Sequence, residues 1–127
     1  MGDTSPEMDE CVARFKEWII ATECGNLEQL HFDDHDLLRF GRARKFDLEK
    51  MQTMWTNFIN WRREAEVDTI IDTYKFDERK AVQEVYPHGY HGVDNLGRPI
   101  YIERFGVLNV PRLFEITTEE RMIRHYI

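Results

Sequence analysis

The sequence predicts an α+β fold, with several amphipathic helices first, then one β-hairpin, then the beginning of a further helix. Three observations predict it. Apolar residues recur at three- and four-residue steps from Met8 to Tyr86. After Pro87 the period changes to two, with Ile100 and Ile102 alternating with Tyr101 and Glu103. Helix-capping residues precede each helical stretch.

The first helix starts at Ser5-Pro6-Glu7, a capping hydroxyl, a proline in the first turn and an acid facing the helix dipole. Met8, Cys11, Val12, Phe15, Trp18 and Ile19 give it one apolar stripe, and the helix ends near Gly25. Asp33 or Asp34 caps a second helix carrying Leu37, Leu38 and Phe40, followed by Arg39, Arg42, Arg44 and Lys45 as a basic run. Asp47 caps a third, whose Leu48, Met51, Met54, Trp55, Phe58 and Trp61 repeat at helical spacing. Asp77 is expected to cap a short fourth helix with Ala81, Val82, Val85 and Tyr86, stopped by Pro87. His88–Val93 and Pro99–Phe105 read as strands joined by Asp94-Asn95-Leu96-Gly97, whose glycine suits a left-handed turn position. Thr117-Thr118-Glu119-Glu120 reads as a capping box opening a fifth helix with Met122, Ile123, Tyr126 and Ile127. The chain stops within that helical pattern, without glycine or cap, which reads as a truncation. A domain boundary is expected near Tyr86-Pro87, giving units 1–86 and 87–127. A two-stranded hairpin alone is marginal in water.

Composition excludes several classes. Seventeen Lys and Arg against 24 Asp and Glu give a net charge of −7, which argues against a nucleic-acid partner and against constitutive docking on acidic membranes. Cys11 and Cys24 have no CxxC spacing and read as reduced thiols. No apolar stretch has transmembrane length and no signal peptide is visible, so the cytoplasm is the expected location. HExxH, GxSxG and dinucleotide fingerprints are absent, and no carboxylate pair suggests acid–base work, so no enzyme and no cofactor are expected. Gly92 and Gly97 have phosphate-loop spacing, but Arg98-Pro99 replaces the Lys-Ser/Thr that such a loop requires. His31 and His35 lie four apart near Asp33 and Asp34, without a convincing third ligand, so no metal site is expected.

Two groups of residues carry candidate chemistry. Arg39, Arg42, Arg44 and Lys45 form a basic cluster; Arg42 and Lys45 share a face if the helix persists, and Arg44 points elsewhere. By residue type alone, a solvated or internally paired charged face is the better reading. Tyr90 and Tyr101 lie on the two predicted strands, where their ring faces suit a quaternary ammonium. Ordinary strand aromatics in a core are the commoner case.

Asp36-Leu37-Leu38-Arg39-Phe40-Gly41-Arg42-Ala43-Arg44-Lys45-Phe46-Asp47 resembles the helical signature that precedes CRAL-TRIO lipid-binding domains. Trp61-Arg62-Arg63, Asp68-Thr69-Ile70, Tyr86-Pro87, Tyr90-His91, Asp94 through Tyr101, and Thr117-Thr118-Glu119-Glu120-Arg121 continue the resemblance in order, over residues 33–127. The branch it is most similar to is the yeast-type phosphatidylinositol/phosphatidylcholine transfer proteins. One departure is Gly41, where that family usually carries a large apolar residue; a void and weakened packing are expected there.

The resemblance implies an N-terminal helical bundle over 1–86, then the truncated start, first hairpin and helix, of an α/β lipid-binding domain over 87–127. It implies that Arg44 and Lys45 approach the phosphatidylinositol headgroup and that Tyr90 and Tyr101 line the choline site of phosphatidylcholine. The implied activity of a complete protein is carriage of one phospholipid between membranes, with transient contact to the Golgi or other membrane surfaces and a lipid-kinase or other protein partner. A diacyl lipid has roughly thirty methylenes at about 0.8 kcal/mol each, so a carrier must offset on the order of 20 kcal/mol with a closed apolar cavity. This chain is expected to be too short to supply one. The alternative reading is a non-enzymatic helical protein-interaction module.

Overall fold

The computed structural model describes residues 4–22 and 24–127. The chain forms two compact units, Met1–Val67 and Asp68–Ile127.

The first unit holds three helices: α1 (Pro6–Thr22), α2 (Asp34–Ala43) and α3 (Leu48–Glu64). Ser5 starts α1 through its carbonyl, which accepts from the N–H groups of Met8 and Asp9 at 3.0 Å. Asp33 caps α2, accepting from His35 and Asp36, while the Asp36 carboxylate accepts from the Asp33 N–H in a complete capping box. Asp47 caps α3 through the Lys50 N–H. The apolar stripes then bury Val12, Phe15 and Ile19 against Leu37 and Phe40 and against Met51, Trp55 and Ile59. Burying one such side chain contributes about 1.5–3 kcal/mol. Trp55 sits at the centre, its ring 5.1 Å from Phe40, 5.7 Å from Phe58, 5.8 Å from Phe32 and 5.9 Å from Phe15. Its indole N–H donates to the Cys24 carbonyl. Beside it Gly25 adopts φ +95°, and a Cβ there would lie 2.7 Å from Ile59 Cδ1, so glycine is required for both reasons.

Gly41 does not leave a void. The Phe46 ring occupies the space: a Cβ on Gly41 would lie 2.7 Å from Phe46 Cε1 and 2.9 Å from Cδ1. The expectation of weakened packing there is corrected by a side chain five positions later that folds back over the glycine.

The second unit contains α4 (Ile70–Thr73), α5 (Arg79–Val85), β1 (His88–Val93), β2 (Pro99–Glu103), a short 3-10 turn at Phe105–Val107, α6 (Val110–Ile116) and α7 (Glu119–Tyr126); a 3-10 turn at Val67–Thr69 spans the division between the units. β1 and β2 pair antiparallel, with His88 opposite Glu103, Gly89 opposite Ile102 and Tyr90 opposite Tyr101; the register is irregular between Tyr90 and Val93. Asp94 closes the turn by accepting from the N–H groups of Leu96 (2.8 Å) and Arg98 (2.9 Å), and Gly97 takes φ +77°. The core is Val82, Tyr86, Leu113 and Met122. Helix α5 therefore belongs with the hairpin and the later helices. This places the division between compact units at Val67/Asp68, ahead of the change of period at Tyr86-Pro87.

Three local expectations are corrected. The N-cap of α5 is Glu78, not Asp77, and Glu78 makes no side-chain cap bond; its carboxylate instead accepts from Arg121 and from the Thr117 hydroxyl at 2.8 Å. Thr118 caps α7 through the Arg121 N–H at 3.3 Å, so Thr117 does not open a capping box. Helix α6 is not among the predicted elements, although Asn109 caps it and Pro111 lies in its first turn.

Candidate functional site

The candidate residues fall in both units. In the first, α2 ends at Ala43 and Arg44 is its C-cap. Arg42 and Lys45 therefore do not share a helical face. Lys45 and Phe46 are left-handed, with φ 53° and 58°, a conformation costing non-glycine residues on the order of 1 kcal/mol each. Three contacts hold it: the Phe46 N–H donates to the Gly41 carbonyl at 2.8 Å, the Phe46 ring covers Gly41, and the Cys11 thiol donates to the Phe46 carbonyl at 3.2 Å. The resulting tip exposes Arg44 and Lys45. The remainder of the basic run is engaged elsewhere. Arg39 pairs with Asp36 at 2.7 Å, and Arg42 lines a groove of ≈ 660 Å³ with Lys16, Asp9 and Asp34. The Arg44 guanidinium donates to its neighbour's carbonyl, Ala43, at 3.1 Å. Among the described residues no carboxylate forms an ion pair with Arg44 or Lys45.

In the second unit the hairpin brings Tyr90 and Tyr101 together as direct cross-strand partners. Their ring centroids lie 5.2 Å apart at 59°. Tyr90 is 76% exposed and Tyr101 41%, so these rings are not core aromatics of the unit. Both line a cleft of ≈ 290 Å³ with Arg79, Gln83, His88, His125 and Tyr126. A cavity of about 150 Å³ holds one benzene. The cleft thus suits a headgroup-sized ligand, far below a diacyl chain pair.

Comparison with known proteins gives the chain its relatives. It is 45% identical over 121 residues to the phosphatidylinositol/phosphatidylcholine transfer protein SFH9 of Arabidopsis thaliana, covering 95% of this chain and 21% of that protein. It is 45% identical over 117 residues to SFH4 of the same plant, covering 91% of this chain and 19% of the relative. It is 41% identical over 126 residues to the SEC14 cytosolic factor of Kluyveromyces lactis, covering 99% of this chain and 40% of that protein. The chain is thus homologous over nearly its whole length to SEC14/SFH phosphatidylinositol/phosphatidylcholine transfer proteins. No family model matches it. It spans between about a fifth and two fifths of the length of these relatives. Among its described residues no helix is long and apolar enough to cross a membrane.

Around the β1–β2 hairpin the structure gathers residues that spacing did not single out. The Tyr86 hydroxyl donates to Glu103 Oε1 at 2.9 Å, and Tyr126 lines the cleft beside Tyr101, its ring 5.8 Å from that of His88. Burial, first of all, raises the pKa of Tyr101 and of Tyr126. His88 sits behind them. Its Nδ1 is 2.7 Å from the Tyr86 carbonyl and must carry the proton to donate there, which leaves Nε2 as an acceptor; Nε2 is buried and without a partner. His125 packs on Phe76 at 4.3 Å. Burial, then the nearby His88 and Arg79, lowers its pKa. These residues come from α5, β1, β2 and α7, so no local sequence signal marks them as a group.

A further cluster is structural. Arg121 donates to both oxygens of Glu78 and, at 3.1 Å, to the Lys75 carbonyl, while Tyr74 donates to the Arg121 carbonyl at 2.7 Å. The guanidinium draws the Glu78 pKa down to about 2. Near His31 and His35, Asp33 is spent on capping and Asp34 pairs with Lys16 at 2.6 Å.

Proposed function

We propose that this chain supplies phospholipid headgroup recognition of the phosphatidylinositol/phosphatidylcholine transfer type. Arg44 and Lys45 read the inositol phosphate, and the Tyr90–Tyr101 pair takes the choline. Two acyl chains are not enclosed by this length of polypeptide. Contact with a membrane surface is transient, as suits a net charge of −7.

The observation that carries the reading is the exposed cross-strand tyrosine pair at the mouth of a headgroup-sized cleft, in a homologue of proteins named for carrying phosphatidylcholine and phosphatidylinositol. A quaternary ammonium has no proton to donate, so aromatic faces are its natural partner, at about 0.5–2 kcal/mol. Arg44 and Lys45 support the other half, since they are cations without an internal carboxylate at an exposed tip. Charge-assisted bonds to phosphate contribute about 1.5–3 kcal/mol each.

The test separates the two headgroups. Tyr90→Ala with Tyr101→Ala should weaken phosphocholine binding by about five- to tenfold and leave inositol phosphate binding within twofold. Arg44→Ala with Lys45→Ala should do the reverse. Equal losses for both ligands in either double variant would overturn the assignment.

A further inference from the structure

The cleft beside the tyrosine pair is rich in hydrogen-bond donors. Every side chain that lines it carries an N–H or O–H, and none is a carboxylate. The carboxylates close by are committed elsewhere: Glu103 accepts from Tyr86, and Glu78 from Arg121 and Thr117. Arg79 forms no ion pair among the described residues. Gln83 spends one amide hydrogen on the His88 carbonyl, at 3.5 Å, and keeps the other. His125 is fixed by its stack on Phe76, and burial first, then its neighbours His88 and Arg79, disfavours its charged form. The Arg79 guanidinium, with no carboxylate paired to it among the described residues, repels a cation entering this space and attracts an anion.

We infer that the inner part of this cleft is a phosphate subsite, in which Arg79, Gln83 and His125 donate to the anion's oxygens. The three donors come from two helices and converge on one space, as a tetrahedral group with several acceptor oxygens requires. Gly89 borders it, and a Cβ there would meet nothing within 4 Å, so the backbone leaves the approach open. The unpartnered Nε2 of His88 lies at the wall, covered by the rings of Tyr101, His125 and Tyr126 at 5.8–6.4 Å. The volume of ≈ 290 Å³ admits a phosphate with a small substituent. The headgroup reading bears only on where the phosphate comes from: a phosphodiester of a zwitterionic lipid would place its phosphate on these donors and its ammonium on the Tyr90–Tyr101 rim. Free phosphate would use the same donors.

The experiment is a nitrogen-edited NMR titration of the labelled 127-residue chain with inorganic phosphate, phosphocholine and choline chloride at matched ionic strength. Inorganic phosphate and phosphocholine should both move the Arg79, Gln83 and His125 side-chain signals. Arg79→Gln should raise the phosphate Kd by about tenfold without changing the spectrum of the hairpin. Should Arg79→Gln disturb α5, His125→Phe keeps the stack on Phe76 and must show the same loss. Tighter binding of phosphocholine than of phosphate identifies a headgroup source; equal binding identifies free phosphate. If phosphate binds and choline chloride moves nothing, the subsite stands and the choline assignment at Tyr90 and Tyr101 fails. The inference is overturned if phosphate leaves those signals in place while choline chloride shifts the tyrosines, or if both variants bind phosphate as tightly as the parent.

Discussion

The two units solve the problem of burial differently. The first closes on itself: Phe15, Ile19, Leu37, Met51 and Trp55 are completely buried, and Ile20 and Trp61 are the large apolar side chains it exposes among the described residues. The second has a core of Val82, Tyr86, Leu113 and Met122, and leaves Ile71, Val93, Leu96 and Phe105 between 63% and 93% exposed. Its helices are tied instead by polar contacts, chiefly Arg121 to Glu78 and to the Lys75 carbonyl. The lesson is that one unit gathers its apolar side chains into an aromatic core while the other leaves many of its own in water. The two open strand edges add unpaired backbone groups to that exposed apolar surface.

The comparison breaks most sharply at Trp55. Trp55→Ala should destabilise the first unit by about 3–5 kcal/mol, because a ring wedged among four other rings leaves a cavity that cannot collapse. Denaturant unfolding followed by circular dichroism reads this, and hairpin signals in NMR should persist after the first unit has melted. Gly41→Leu should cost less, about 1–3 kcal/mol, by forcing the Phe46 ring out of its place over the glycine. A neutral or stabilising result would mean that Phe46 has an alternative seat.

In the second unit, Glu78→Gln should cost about 1 kcal/mol, kept small by solvent around Arg121. The sign of the pH effect follows from the carboxylate. Its folded pKa is depressed from 4.5 to about 2, so its contribution is complete above pH 4.5 and disappears as pH falls towards 2. Acid unfolding of the second unit between those values should be blunted in the glutamine variant. Smallest of all, Arg44→Ala with Lys45→Ala should move stability by less than about 0.5 kcal/mol, since neither side chain has a carboxylate partner to lose. A larger loss would show that the tip is structural and would weaken its assignment to headgroup binding.

Most of the first unit was legible because its signals are local. Asp33, one of the two candidates for α2, and Asp47, expected for α3, cap those helices, and the stripes around Phe15 and Trp55 form the core. The hairpin was legible for the same reason, through Asp94 and Gly97. What was not legible depends on distance along the chain. Glu78 does not behave as a local cap because Arg121 claims its carboxylate, and Phe46 fills the place at Gly41 only because the backbone turns left-handed between them. Helix α6 had a readable start in Asn109-Val110-Pro111, obscured by its shortness. Of the candidate site, Tyr90 and Tyr101 were pointed to by the family resemblance, but their direct pairing depends on the strand register, and the cleft beside them joins Arg79, His88 and His125, which no spacing rule connects.

The most direct test is extraction. The 127-residue chain is mixed with phosphatidylcholine vesicles containing a tail-labelled phosphatidylcholine, and the label per chain is counted in the vesicle-free supernatant. Headgroup recognition without enclosed tails predicts far less than one label per chain, alongside measurable phosphocholine binding. One labelled lipid carried per chain would contradict it.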